Sequence, residues 1–251
     1  GGDGGGAGEV TVTELYNGST WTEVNDMVLK RMGIAGAGTQ TAAIAAGGEP
    51  NPPGVGITEL WNGTNWTEVN DMNAVLANRM GFGISTAAIV AGGQPPSVAL
   101  TELWNGTNWT EVNDLNLARH IGGSAGKTQT AGLVFGGQSL PGVTVNTESW
   151  NGTNWTEVNN LNQARTAMGS NGTQTSALTY GGIDGGVTAL TESWNGTNWT
   201  ETANISTARS YLGGAGSLNT SALAFGGDTG SLSAVTEEWN AGPQTVTFTD
   251  S

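Results

Sequence analysis

The 251-residue chain is strongly acidic and contains no cysteine: 21 Asp and Glu residues oppose 7 Lys and Arg residues, giving a formal charge of −14. This charge repels phosphate backbones and anionic lipid headgroups, so we expect neither nucleic-acid binding nor membrane-surface binding. The lack of cysteine excludes disulfides and cysteine-based metal sites. No apolar stretch approaches the ~18 residues of a membrane-spanning helix, so membrane insertion is not expected.

The chain is built from an internal repeat with a period of 43 to 46 residues. An aromatic-Asn-Gly unit begins at Tyr16, Trp61, Trp104, Trp150 and Trp194, and Trp239 begins a sixth, partial copy. A second tryptophan follows five residues after each of the first five aromatics. Apolar runs end in Gly-Gly pairs that begin at Gly47, Gly92, Gly136, Gly181 and Gly226. A fixed period of this length is typical of propellers and solenoids.

Each period predicts four short strands. In the first full period these are a small-residue run at 33–38, an apolar run at 41–48, TELW at 58–61 and NWTEV at 65–69. Alternating β-branched and apolar residues between glycine-rich turns indicate strands rather than helices. The Asn-Gly step suits a tight hairpin turn. Four strands per period form one propeller blade.

The order of these features resembles the kelch repeat. Its blade carries an apolar strand ending in Gly-Gly, then an aromatic residue near the end of the next strand, then a tryptophan after a short turn; residues 219–226, 236–240 and their counterparts match this order. The resemblance covers nearly the whole chain and implies a β-propeller, although the chain has Trp-Asn where the family usually has Tyr-Asp. The cassette WNGTNWTEV is also similar to kelch-like repeat proteins of marine bacteria and their tailed phages.

We therefore predict an all-β fold: a closed five-bladed β-propeller with four-stranded kelch-like blades. A glycine-rich segment at 1–9 precedes a single propeller domain at 10–251. Pairing of the N- and C-terminal strands is expected to close the ring, since an unpaired sheet edge is a liability. One of two segments is expected to extend the closing blade or swap with it. These are the surplus strand at 235–239 and the tail at 244–249.

Five of the seven basic residues follow the repeat. Arg31, Arg119, Arg165 and Arg209 each follow the second tryptophan by ten residues, and Arg79 follows it by thirteen. In one interpretation each arginine pairs with a repeated glutamate, because the guanidinium fork suits a carboxylate. The glutamates concerned belong to either of two repeated sets, Glu23, Glu68, Glu111, Glu157 and Glu201 or Glu14, Glu59, Glu102, Glu148, Glu192 and Glu237. In the other interpretation the arginines form a ring at the channel mouth that captures an anionic ligand.

The ligand interpretation defines a candidate binding set. It comprises Arg31, Arg79, Arg119, His120, Arg165, Arg209 and Tyr180. His120 is included because it adjoins Arg119, and Tyr180 because it breaks the repeat where the first two blades have alanine. No metal or cofactor is expected, since no cluster of metal ligands stands out in the sequence.

The sequence favours binding or structure over catalysis. His120 is the only histidine, and the glutamates recur blade by blade, which is typical of a scaffold. The loops after the Gly-Gly pairs vary most, at 49–56, 94–99, 138–144, 183–189 and 228–234. A rigid scaffold with variable loops is a common recognition arrangement. We expect a non-catalytic recognition or structural module that binds a protein or a surface glycan.

Two alternatives remain open at this stage. One is a carbohydrate-active enzyme that uses loop-face carboxylates. The other is a purely architectural spacer. The resemblance to phage proteins further implies assembly into a virion, tail or cell-surface complex, and an extracellular or virion location.

Overall fold

The computed structural model describes residues 1–4, 8–50 and 54–241, and this part of the chain consists of strands and connecting loops without a helix. No helix able to span a bilayer is therefore found among these residues. Their main sheets form a five-bladed β-propeller, as the repeat predicts. Each blade is an antiparallel meander that runs outward from the axis.

Two short hairpins precede the blades. They are formed by β1 (Gly2–Asp3) with β2 (Glu9–Val10) and by β3 (Thr13–Tyr16) with β4 (Trp21–Val24). Blade one contains β5 (Ala35–Thr39), β6 (Ala42–Ala46), β7 (Thr58–Trp61) and β8 (Trp66–Val69). Blade two contains β9 (Met80–Ile84), β10 (Ala87–Ala91), β11 (Thr101–Trp104) and β12 (Trp109–Val112).

The remaining blades repeat this order. Blade three contains β13 (Gly123–Thr128), β14 (Ala131–Phe135), β15 (Thr147–Trp150) and β16 (Trp155–Val158). Blade four contains β17 (Gly169–Thr173), β18 (Ser176–Tyr180), β19 (Thr191–Trp194) and β20 (Trp199–Thr202). Blade five contains β21 (Gly213–Leu218), β22 (Ser221–Phe225) and β23 (Thr236–Asn240), so its sheet has three strands within the described residues.

The predicted pairing of the N- and C-terminal strands is not found among the described residues. Within the described residues, hairpin β3–β4 is a sheet of its own and does not pair with the strands of blade five. It lies between blades five and one: Trp21 Nε1 donates to Thr236 Oγ1 at 3.0 Å, and Trp66 Nε1 donates to Thr13 Oγ1 at 2.9 Å. These side-chain hydrogen bonds join the hairpin to both neighbouring blades. The tail at 244–249 lies outside the described residues.

Small residues at the axis allow the inner strands to approach one another. A Cβ added to Gly214 would lie 2.5 Å from the carbonyl oxygen of Ser170 on the neighbouring inner strand. No side chain larger than hydrogen fits at that distance, so glycine is required where β21 passes β17. The inner strands line an axial cavity of about 660 Å³, and Lys127 Nζ donates to Gly216 O at 3.0 Å within it.

Paired tryptophans fill the spaces between blades. In blade four, Trp194 and Trp199 are 2% and 5% exposed, and their ring centroids lie 5.4 Å apart. Blades two and three repeat the pair with Trp104–Trp109 and Trp150–Trp155. Each of these rings buries a large apolar surface between two blades.

Candidate functional site: the loop face

One face of the propeller collects two kinds of loop. Isolated bridges join the connection before each inner strand to the loop after the second strand, for example His120 with Gln138 and Thr166 with Ile183. Both kinds of loop therefore emerge together, and we call this surface the loop face. The opposite surface, the turn face, carries the repeated Asn-Gly turns, in which an asparagine such as Asn151 accepts hydrogen bonds from the backbone N–H groups of Thr153 and Asn154.

Each arginine of the candidate set forms a buried ion pair beneath the loop face. The pairs are Arg31–Glu59, Arg79–Glu102 (2.6 Å), Arg119–Glu148 (2.5 Å), Arg165–Glu192 (2.9 Å) and Arg209–Glu237 (2.7 Å). The five arginine side chains are at most 1% exposed. The five glutamates all belong to third strands. Each arginine therefore pairs with a repeated glutamate of the set that contains Glu59, Glu102, Glu148, Glu192 and Glu237. None of the five arginines is among the described residues that line the axial cavity.

Three of the arginines, Arg119, Arg165 and Arg209, also hold both ends of a variable loop. Arg165 Nη1 donates to Gly181 O at 3.0 Å, where the loop of blade four begins, and to Leu190 O at 2.7 Å, where it ends. Arg209 holds the loop of blade five in the same way, through Gly226 O and Val235 O at 2.7 and 2.6 Å. Arg31 and Arg79 hold one end each, through Gly47 O and Leu100 O, both at 2.9 Å. An arginine thus contacts the base of every variable loop, although the loop sequences differ.

The glutamate of each pair fixes the second kind of loop. Glu192 Oε2 accepts hydrogen bonds from the backbone N–H and the side-chain amide of Asn162, both at 2.8 Å. Glu148 binds Asn116 in the same way, at 2.7 and 2.8 Å. We call an arginine, its glutamate and these backbone contacts a node. Because the arginine side chains are buried, a ligand would have to displace part of the node to reach a guanidinium.

Blade two reaches the same node from a different backbone position. Asn78 of blade two and Ile121 of blade three occupy equivalent backbone positions. Arg119 lies two residues before Ile121, whereas Arg79 lies one residue after Asn78. Its side chain nevertheless meets Glu102 and donates to Leu100 O at 2.9 Å. The three-residue shift seen in the sequence therefore preserves the ion pair.

Burial governs the electrostatics of the nodes. Burial lowers the pKa of Arg79, Arg119 and Arg165, while the partner glutamate acts in the opposite direction. Burial also opposes ionisation of Glu237, yet the hydrogen bonds from Ser206 and the charge of Arg209 outweigh it, and the pKa of Glu237 is lowered.

The lowered pKa of Glu237 predicts a pH-dependent contribution to stability. A carboxylate whose pKa is lowered by folding stabilises the protein fully above its unfolded pKa, and this contribution is lost as the pH falls through the folded value. We expect Glu237→Gln to reduce thermal stability at pH 7 and the gap from the native protein to close below about pH 4. Melting curves of both proteins between pH 7 and pH 3 test this. A gap that stays constant over that range would contradict it.

Four backbone hydrogen bonds link five residues in an arc around the axis on the loop face, and we call this arc the collar. Asn78 N donates to Gly33 O at 2.8 Å, Ile121 N to Asn78 O at 3.0 Å, Ala167 N to Ile121 O at 2.9 Å, and Tyr211 N to Ala167 O at 2.7 Å. All five collar residues have φ between 53° and 64°. This backbone region is unfavourable for non-glycine residues, most of all for β-branched Ile121, and such strain is concentrated at functional surfaces.

Exposed apolar side chains lie on the same face. Tyr211 in the collar is 60% exposed, and the variable loops carry Leu140 at 81% and Leu232 at 53%. The sequence analysis did not select these residues. The signal was present but easily missed, because Tyr211, Leu140 and Leu232 are departures from the repeat and not members of it.

No protein-family model matches this chain, and no curated protein matches it. The arrangement of the loop face therefore carries the functional argument.

The two other members of the candidate set, His120 and Tyr180, lie apart from each other. Burial lowers the pKa of His120, which lies beside the collar and whose Nδ1 is 2.8 Å from Ser97 Oγ. Tyr180 lies between blades four and five, where its hydroxyl donates to Leu223 O at 3.1 Å and burial raises its pKa.

Among the described residues, no group of three or more histidine or acidic side chains is arranged to hold a metal ion. Asp228, on the loop of blade five, instead accepts a hydrogen bond from Gly230 N at 2.7 Å and shapes that loop. Asp184 on the loop of blade four receives a hydrogen bond from Gln163. These contacts give the two loop carboxylates structural roles.

Proposed function

We propose that this protein is a non-catalytic recognition module of the kelch-like class, which binds a protein or glycan partner through its loop face. One observation carries the proposal: the same arginine–glutamate node anchors five loops of different sequence. Natural binding scaffolds place variable loops on constant supports in this way. The strained collar and the exposed Tyr211 and Leu140 supply a contact surface at the centre and the periphery of that face.

The placement of charge favours binding over hydrolysis. A glycosidase needs two carboxylates that face a substrate. The third-strand glutamates are instead engaged by buried arginines, as in Glu192 with Arg165. The resemblance to repeat proteins of marine bacteria and their tailed phages extends the proposal to a virion, tail or cell-surface setting, in which the partner is a surface protein or glycan.

A binding screen on glycan and surface-protein arrays tests the proposal. We expect the purified chain to bind, and expect Tyr211→Ala and Leu140→Ser to weaken binding by about tenfold each, since exposed anchors of this type contribute roughly 1–2 kcal/mol. Thr153→Ala, an exposed position on the turn face, is the matched control and should bind normally.

Three outcomes would overturn the proposal. Hydrolysis of an arrayed glycan would favour the enzyme alternative. Absence of binding to every probe, with self-association in solution, would favour the architectural spacer. Binding that is lost in Thr153→Ala and kept in Tyr211→Ala would place the contact on the turn face.

A further inference from the structure

Lys127 is the one lysine or arginine of the described residues that forms no ion pair with a carboxylate. The five arginines are paired within the nodes, and Lys30 Nζ lies 4.0 Å from Glu9 Oε2. An unpaired cation stands out in a chain whose formal charge is −14. Lys127 is exposed, and its Nζ donates to Gly216 O at 3.0 Å. Two of the three N–H donors of the ammonium group therefore remain for a ligand.

A β-bulge places Lys127 beside the axis. The register between β13 and β14 shifts between Gly126 and Thr128, and β13 has one residue more than the inner strands of blades one, two and four. Blade five has a similar shift, with Ser217 at the position that corresponds to Lys127. β-Bulges re-aim side chains and are frequent next to functional sites. The lysine is thus a departure from the repeat, and a blade also accommodates a small residue at this position.

Lys127 is the only charged side chain among the described residues that line the axial cavity. The volume of about 660 Å³ lies within the range of small-molecule sites, ~300–1,000 Å³. The inner strands contribute glycines and the hydroxyl-bearing residues Thr39, Ser124 and Ser170 to its wall. Thr39 and Lys127 are both exposed and lie near the ends of β5 and β13 that are farther from the collar. The cavity is therefore open to solvent at this end, which we call the turn-face mouth.

Asn171 brings a second unsatisfied polar group to the same cavity. It is 6% exposed, and its Oδ1 accepts no hydrogen bond from the described residues. Its Nδ2 donates to Leu218 O at 2.9 Å and would lie 2.6 Å from a Cβ added to Gly216, the residue that Lys127 contacts. The two side chains therefore converge on Gly216. A buried acceptor without a donor costs free energy, and a ligand hydroxyl supplies such a donor.

The fold does not require the asparagine. Three of the other inner strands have alanine at the corresponding position: Ala37, Ala125 and Ala215. Asn171 and Lys127 thus both depart from the repeat, and both lie at the wall of one cavity.

We propose that the turn-face mouth of the axial cavity binds a small hydroxylated carboxylate of the sugar-acid class. The ligand's carboxylate pairs with Lys127 Nζ, and one of its hydroxyl groups donates to Asn171 Oδ1. The charge-assisted pair selects an acid over a neutral sugar, and the hydroxyl contact selects a sugar acid over a simple carboxylate. The recognition function proposed for the loop face uses other residues, so each proposal stands if the other fails.

Calorimetric titration of the full-length chain with D-glucuronate and with D-galacturonate tests the proposal. Glucose and acetate are the matched probes, because glucose lacks the carboxylate and acetate lacks the hydroxyl groups. We expect at least one of the two sugar acids to bind at a single saturable site, about tenfold or more tightly than either matched probe. Added salt should weaken this binding, since Lys127 is exposed at the mouth.

Three variants assign the contacts. Lys127→Ser introduces the residue that blade five has in its bulge, and it should weaken sugar-acid binding by about 10- to 100-fold. Asn171→Ala introduces the alanine of three other inner strands and should weaken binding roughly fivefold. Lys30→Ser removes the other lysine with the same change of charge and should bind as the native chain does. Melting curves establish that each variant is folded before it is titrated.

The proposal is wrong if neither sugar acid binds, or if Lys127→Ser and Lys30→Ser change the affinity equally. It is also wrong if binding is lost in Tyr211→Ala and kept in Lys127→Ser, because the sugar acid would then occupy the loop face. Binding of array ligands to the loop face should survive Lys127→Ser. This result separates a failure at the axial cavity from a failure of the recognition proposal.

Discussion

Arg165→Ala is expected to lower the free energy of unfolding by about 3–5 kcal/mol, measured by urea titration. The guanidinium is fully buried, and its removal leaves the buried carboxylate of Glu192 without its counter-charge. It also removes the donors to Gly181 O and Leu190 O, so both ends of one variable loop lose a contact. Breaking one side of a buried pair costs far more than a surface pair is worth.

Two further variants test whether the loss of stability comes from breaking the buried ion pair. Lys30→Ala, at an exposed pair with Glu9 whose charged atoms are 4.0 Å apart, should change stability by less than about 0.5 kcal/mol. The double variant Arg165→Met, Glu192→Leu should recover part of the loss, because it removes the uncompensated charge along with its partner. If Arg165→Ala is as stable as the native protein and loses ligand binding, the arginine is a ligand contact and the node is not a structural clamp.

Trp199→Ala is expected to cost about 3–5 kcal/mol in the same measurement. The Trp199 side chain is 5% exposed and donates its indole N–H to Thr147 Oγ1. The centroids of the Trp199 and Phe135 rings lie 4.7 Å apart. Its removal opens a cavity at the junction of blades three and four. Because each junction supports its two neighbours, we expect the variant to melt at a lower temperature and over a broader range.

The contrast with Trp239 makes this prediction specific. Trp239 lies in the third strand of blade five, is only partly buried and lacks the tryptophan partner that Trp194 has in Trp199. Trp239→Ala should therefore cost clearly less than Trp199→Ala. Trp199→Phe retains most of the packing and loses the indole donor. Its loss in free energy of unfolding should therefore lie between the losses of Trp239→Ala and Trp199→Ala. Equal losses for Trp199→Ala and Trp239→Ala would show that the tryptophan pairs do not determine the strength of the junctions.

The sequence predicted the fold because its signals were repeated. The Gly-Gly pairs, the two tryptophans and the Asn-Gly turns each recur in register, and their spacing alone defines blades of four strands. A single copy of the motif would have been weak evidence. The structure places each of these residues where the repeat requires it, for example with Trp150 opposite Trp155 across a hairpin turn.

The closure of the ring could not be predicted in the same way. The sequence contains six strands of the TE-aromatic type and five inner strands, and strand pairing was expected to absorb the surplus. The position of β3–β4 between blades five and one depends on packing of Trp21 against Phe225, whose ring centroids lie 4.9 Å apart. Such a contact joins residues at opposite ends of the chain and has no local sequence signal.

The candidate site was predicted only in part. The spacing of the arginines was recognised, and pairing with the third-strand glutamates was one of two interpretations left open. The sequence could not decide which of the two glutamate sets pairs with the arginines. The two glutamates of each repeat lie opposite each other across one hairpin, as Glu192 and Glu201 do. The collar was not predicted, because left-handed backbone at Ile121 and Ala167 runs against the preferences of those residues.

Hydrogen–deuterium exchange, with and without a ligand captured on the arrays, tests the recognition account most directly. The account predicts that the ligand protects backbone amides of the collar and of the loops at 138–144 and 183–189, and leaves the turn-face amides around Asn151 unchanged. Protection confined to the turn face or to the outer strands would contradict it, and would move the binding surface away from the loops that the nodes support.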